Sequence, residues 1–176
     1  MCSMFLFYFS SSSGVSGIPQ CNPASSSLCK GLSELAGDLC YNSLVQGILF
    51  QADYFRDPNK IKSENYLKHS QLASWNNEIP GSENATYKQN FVSVNKYVMV
   101  KADKDTMVFP NEGEHWGHFK DGTYDAIPMN ETGWYVNDTF GLKTVDTQGK
   151  IFFEETLGNH LQFTEKQLFG WIDTHF

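Results

Sequence analysis

From residue 30 to 50 the apolar side chains Leu32, Leu35, Leu39, Leu44, Val45, Ile48 and Leu49 recur at mostly helical spacing, and Gly37 is expected to break the run. Residues 51–90 are polar and interrupted by Asp57-Pro58 and Ile79-Pro80-Gly81, which predicts short helices and loops on a surface. The pattern then changes. FVSVNKYVMVK (91–101) is rich in β-branched and apolar residues, as in a strand covered on both faces, and it stops at ADKDTMVFP. A mixed, turn-rich stretch runs to Gly149, and KIFFEET (150–156) predicts a second strand. At the start, FLFYF (5–9) reads as a buried strand entering a Ser/Gly loop. The competing reading is a signal peptide, but no positive charge precedes an apolar centre confined to residues 4–10. No stretch approaches the roughly 20 apolar residues of a transmembrane segment.

The final element carries the most specific signal. Thr164-Glu165-Lys166-Gln167 fits a capping box, Phe163 and Leu168 fall at the staple positions, and Leu168, Trp171 and Ile172 form one stripe suited to docking on a sheet. Strand, loop, strand, loop, helix is an α/β ending.

Composition narrows the function classes. A length of 176 residues fits one domain; 40% hydrophobic and 19% charged residues are ordinary for a packed chain. Aromatic content is high at 15%, with Phe at 14, which fits a bulky core or an apolar ligand groove. The net charge of −7 argues against nucleic acid and anionic membrane as partners. Three sequons, at Asn84, Asn130 and Asn137, favour a secretory route with glycosylation at those positions. Cys21 and Cys29 flank a Pro/Ser loop suited to a local disulfide, whereas Cys2 and Cys40 have no obvious partner; four reduced core thiols are the alternative.

The candidate chemistry sits beyond the two strands. Asp103 and Asp105 follow the first, and His160, in EETLGNHLQF, follows the second. Open α/β sheets gather functional side chains beyond the carboxyl ends of their strands. An acid and then a histidine is the order in which an α/β-hydrolase supplies the last two members of its triad. The acid would accept the ring N–H and fix the tautomer, leaving the other nitrogen to deprotonate a nucleophile. Solvated loop residues would give the same string. A second cluster, Glu112, Glu114, His115 and His118 in NEGEHWGHF, has His-x-x-His spacing that a metal could use, but no metal and no cofactor is expected.

Five stretches, QADYFRDPNK (51–60), WNNEIPGSENATYKQNF (75–91), VMVKADKDTMVFPNEGEHWGHF (98–119), PMNETGWYVNDTFGLKTVDTQGKIFF (128–153) and GNHLQF (158–163), together resemble the palmitoyl-protein thioesterases. These are lysosomal α/β-hydrolases acting on S-acylated proteins or peptides and other long-chain acyl thioesters. GVSGIPQC, with a second Cys eight residues on, extends the likeness back to about residue 14. The resemblance implies a triad acid at Asp105 and a triad base at His160, where the family's Gly-acid-His-Leu reads Gly-Asn-His-Leu. It also implies a partial α/β-hydrolase fold: a divergent strand and loop over 1–19, a helical lid and acyl-groove insertion over 20–90, and the C-terminal core over 91–176. Localisation is expected to be lysosomal or secreted. The family's Gly-x-Ser-x-Gly elbow has no counterpart in the sequence, since Gly14-Val15-Ser16-Gly17-Ile18 lacks the last glycine. The expectation is therefore the C-terminal portion of a thioester hydrolase, carrying acid and base without the nucleophile, and inactive alone. The alternative is a non-catalytic secreted glycoprotein that binds lipid.

Overall fold

In the computed structural model the described residues are 5–8, 13–48 and 50–175. Strand β1 (Phe5–Tyr8) leads into helices α1 (Ser27–Cys40), α2 (Ser43–Gln46), α3 (Glu64–His69), α4 (Gln71–Trp75) and α5 (Ala85–Ser93), and the chain returns as β2 (Lys96–Ala102). A small antiparallel pair follows, β3 (His118–Phe119) with β4 (Ala126–Ile127). Then come α6 (Gly133–Val136), α7 (Leu142–Thr147), β5 (Ile151–Thr156) and α8 (Glu165–His175). The main sheet has the order β1-β2-β5 and is parallel throughout: Phe5 pairs with Lys96, Tyr97 with Ile151 and Ala102 with Thr156. Val98 and Met99 of the central strand are fully buried, the burial expected of a parallel strand covered on both faces. The side-chain burial expected for FLFYF lies outside the described residues.

The strand read over 91–101 begins later, at Lys96. Asn84 accepts the Thr86 amide at 2.9 Å and starts a helix that carries through Ser93. The Phe91 ring then stacks on Tyr97 at 4.6 Å, so its apolar surface is buried by a helix end rather than a strand. Gly37 breaks nothing: α1 runs through it. A Cβ there would lie 2.6 Å from Asp57 Oδ2, so glycine lets a buried loop approach the helix. Residues 51–90 are likewise more than surface. Tyr41, Phe55, Ile61, Tyr66 and Ala73 form a core of their own, and the Tyr41 hydroxyl accepts the Asp57 amide at 2.7 Å. The main core gathers Tyr97, Met99, Trp116, Trp134, Phe140 and Leu142 beside the sheet. Much of the aromatic surplus is therefore core.

The capping box forms as the sequence predicts. Gln167 N–H donates to Thr164 Oγ1 at 3.2 Å, and Thr164 N–H donates to Gln167 Oε1 at 2.9 Å. Trp171 is buried, His175 Nε2 meets Glu154 Oε1 at 2.7 Å, and Lys96 Nζ donates to the His175 carbonyl, so α8 is tied to both β2 and β5. Thr164→Ala is expected to cost about 1 kcal/mol, read as a lowered urea midpoint with an unchanged slope. Cys21 and Cys29 form a disulfide, Cys40 is a half-buried free thiol whose burial pushes its pKa up, and Cys2 lies outside the described residues.

Candidate active site

The parallel sheet delivers two loops to one rim. Past the end of β2 and β5 the pairing continues, with Asp103 N–H donating to Thr156 O at 2.9 Å and Lys104 N–H to Gly158 O at 3.0 Å. This zipped pair of turns separates the two acids read from the sequence. Asp103 is exposed, whereas Asp105 is buried. Asp105 Oδ1 accepts the amides of Met107 and Val108 at 2.5 and 2.9 Å, and its Oδ2 lies 2.6 Å from His160 Nδ1. The Asp105 side chain is sealed, while the His160 side chain keeps 29% of its surface. His160 Nε2 has no hydrogen-bond partner among the described residues. A sealed acid, an imidazole oriented through one nitrogen, and a second nitrogen left open are the elements of a general base.

Asn159 fastens the two loops. Its Oδ1 accepts the amides of His160 at 2.7 Å and Thr106 at 2.9 Å, and its Nδ2 donates to Thr106 Oγ1 at 3.0 Å. Where the family's motif carries an acid, the Asn159 amide group supplies a donor that a carboxylate would lack. Gly158 is required by close approach, because a Cβ there would stand 2.4 Å from Gln162 O. Gly158→Ala is expected to destabilise by about 1–3 kcal/mol. Broadened His160 and Thr106 resonances in an amide NMR spectrum should accompany the lower urea midpoint.

A residue not singled out for this site completes it. Glu114 sits in the 3₁₀ turn Asn111–His115 and is only 2% exposed. Its Oε2 accepts the Ala102 amide at 2.8 Å, and its Oε1 lies 3.9 Å from His160 Nδ1. Burial raises its pKa to about 8, the Ala102 amide works against this, and the neighbouring Asp105 adds to it through charge and a hydrogen bond. In the sequence Glu114 stands in the turn Asn111–His115, after the loop that follows β2, where only its place beside the His-x-x-His pattern marks it. Glu112, Glu114, His115 and His118 do not converge as that pattern implied. His115 Nε2 meets Glu154 O at 3.1 Å, while the His118 ring packs on Trp134 with Nδ1 toward Phe119 O. Burial pushes His118 down to about 3. Among the described residues, the His and carboxylate atoms that do crowd together are those of Asp105, Glu114 and His160, within 4.8 Å. His160 Nδ1 and Glu114 Oε2 are already engaged in hydrogen bonds there. The sequon asparagines Asn84, Asn130 and Asn137 are all exposed.

The fold and site together define a parallel α/β protein that gathers a buried carboxylate, an oriented imidazole and a second buried acid on one rim of its sheet. The chain belongs to the palmitoyl protein thioesterase family, whose model matches residues 2–160. It is 40% identical over 157 residues to palmitoyl-protein thioesterase 1 of Caenorhabditis elegans, covering 88% of this chain and 51% of that protein. Palmitoyl-protein thioesterase 3 of Dictyostelium discoideum is 30% identical over 131 residues, covering 73% of this chain and 44% of that one. A lysosomal thioesterase of Xenopus laevis is 30% identical over 115 residues, 65% of this chain and 38% of its own. The chain thus spans about half the length of the first two relatives. No helix among the described residues is long and apolar enough to cross a membrane.

Proposed function

We propose that the chain supplies the acid and base of a palmitoyl-protein thioesterase, with Asp105 orienting His160 and His160 shuttling the proton of a serine nucleophile. The observation that carries this reading is the 2.6 Å contact between side chains 55 residues apart, in a chain whose relatives are thioesterases. In the acylation step, serine Oγ attacks the thioester carbonyl as His160 Nε2 takes its proton. His160 then returns that proton to the departing cysteine sulfur, and a water repeats the cycle to free the fatty acid. The serine and its Gly-x-Ser-x-Gly elbow are not in this sequence, so the 176 residues alone are inactive. The proposed fold is the C-terminal part of an α/β-hydrolase, with 20–90 as a lid and acyl groove, 91–176 as core and 1–19 as a divergent entry.

The test is a chimera joining this chain to the serine-bearing half of the Caenorhabditis elegans relative, assayed for release of palmitate from an S-palmitoylated peptide. Turnover by the chimera, with none from the 176-residue chain, is the expected result; an inert but folded chimera overturns it. The substrates proposed are S-acylated proteins or peptides in a lysosomal or secretory setting. Glycans at Asn84, Asn130 and Asn137 fit that route and would show as a mass loss on deglycosylation of secreted material.

A second reading draws on a specific surface. Leu28, Leu32, Leu35 and Leu39 of α1 are all exposed, from 40% to 71%, as an apolar stripe. A non-catalytic glycoprotein that holds acyl chains would use it. Saturable binding of fluorescent palmitate to the 176-residue chain, lost in Leu35→Gln/Leu39→Gln, together with an inert chimera, favours this alternative.

A further inference from the structure

The thioesterase reading leaves Glu114 without a role, yet it is the most deeply sealed acid beside the pair apart from Asp105 itself. One of its carboxyl oxygens lies in a single cluster with an Asp105 oxygen and a His160 ring nitrogen, all within 4.8 Å of one another, and the Asp105 carboxylate helps to raise its pKa. Two buried carboxyls this close can share a hydrogen bond only if one of them carries a proton. The surroundings decide which. Asp105 receives three donors, the Met107 and Val108 amides and His160 Nδ1, all of which favour its charged form. Glu114 receives one, the Ala102 amide. We propose that Glu114 is a positioning residue: it stays neutral and donates its carboxyl proton to Asp105, holding that carboxylate aimed at His160 Nδ1.

The proposal rests on the thioesterase reading for its purpose but not for its geometry. The groups facing Glu114 are Asp105 from the turn after β2, His160 from the loop after β5 and Lys101 from β2 itself. On its own turn, His115 is directed to the Glu154 carbonyl instead. With two acids and one base on one rim, the system needs a single negative charge opposite the imidazolium that forms in the reaction. A second ionised carboxylate would repel Asp105 and disorder the contact. The raised pKa of about 8 places the loss of the shared proton just above neutrality. The linkage sign follows. Glu114 contributes stability that is fully present below its ordinary 4.5 and is lost as pH rises through about 8.

The decisive experiment reads proton position without needing turnover. In the 176-residue chain, the Glu114 side-chain carboxyl ¹³C shift is followed against pH. It should titrate near 8, and in Asp105→Asn the midpoint should move down toward the ordinary glutamate range, because the amide now donates to an ionised Glu114. Glu114→Gln, which can still donate to Asp105 and accept from Ala102, should keep the His160 Nδ1–H resonance; Glu114→Ala should broaden it. In the chimera, wild-type hydrolysis should fall above about pH 8. Glu114→Gln should keep neutral-pH kcat within about threefold and remove that alkaline fall, while Glu114→Ala should lose tenfold or more at neutral pH. A wild-type midpoint in the ordinary glutamate range, or an alkaline fall that survives Glu114→Gln, overturns the proposal. An inert chimera counts against the thioesterase reading alone, and the carboxyl titration then decides the role of Glu114.

Discussion

In the chimera, His160→Ala should lower acyl release by at least about 10³-fold, while His115→Ala changes it by no more than about threefold. The contrast rests on what each ring does. His160 is held by Asp105 at Nδ1 and its Nε2 has no hydrogen-bond partner among the described residues, so under the proposed mechanism its removal leaves the serine with no group to take its proton. His115 is a half-buried ring whose Nε2 meets a backbone carbonyl and which meets Phe153 edge to face, and burial pushes its pKa down. Asp105→Asn should cost about 10⁴-fold with little loss of fold, because the amide presents a donor where the ring N–H needs an acceptor and so favours the wrong tautomer. Measuring kcat and KM separately sharpens the reading. A loss confined to kcat marks proton transfer, whereas a rise in KM alone would point to an altered acyl groove. Equal losses for His160→Ala and His115→Ala would move the site away from this pair.

Glu78→Ala is expected to be among the most destabilising single changes in the chain, at about 3–5 kcal/mol. Arg56 is 4% exposed; burial opposes its charge, and the Glu78 carboxylate restores it. Glu78 Oε2 accepts from Arg56 Nη2 at 3.0 Å and from Nε at 3.2 Å, while Oε1 accepts the Tyr66 hydroxyl at 3.1 Å. The guanidinium also lies over Trp134 at 4.8 Å, which ties the helical segment to the core beside the sheet. Removing the carboxylate strands a buried cation, since Asp121, the other acid in reach at 3.8 Å, is half-exposed and screened. A typical domain is stable by only about 5–15 kcal/mol, so the variant should show a much lower urea midpoint or partial unfolding at 37 °C. Glu78→Gln, which keeps acceptors but not charge, should lose less. A loss under about 1 kcal/mol for Glu78→Ala would mean that Asp121 takes over the pairing.

The elements legible in the sequence were those set by local chemistry. Thr164 and Gln167 meet within one turn, so the capping box could be read directly, and β5 lies almost where KIFFEET placed it. Elements decided by distant contacts were misread. Gly37 looks like a helix breaker until Asp57, twenty residues away in sequence, needs the space beside it. FVSV looks like strand until Asn84 caps a helix that carries it. At the rim, the spacing offers Asp103 and Asp105 equally; the family resemblance favours Asp105, and its burial and its contact with His160 set it apart from the exposed Asp103. Glu114 stayed hidden for a related reason: its role depends on three segments converging, and a carboxylic acid held neutral leaves no mark on a sequence that counts it as a charge.

The common direction of the strands has a geometric consequence. β1 lies along one side of β2 and β5 along the other, so among the described residues β1 borders an open margin of the sheet. A strand laid against that margin in the same sense would point its carboxyl end toward the rim that carries Asp105 and His160, with β1 and β2 standing between it and β5, and would close the edge that β1 leaves open.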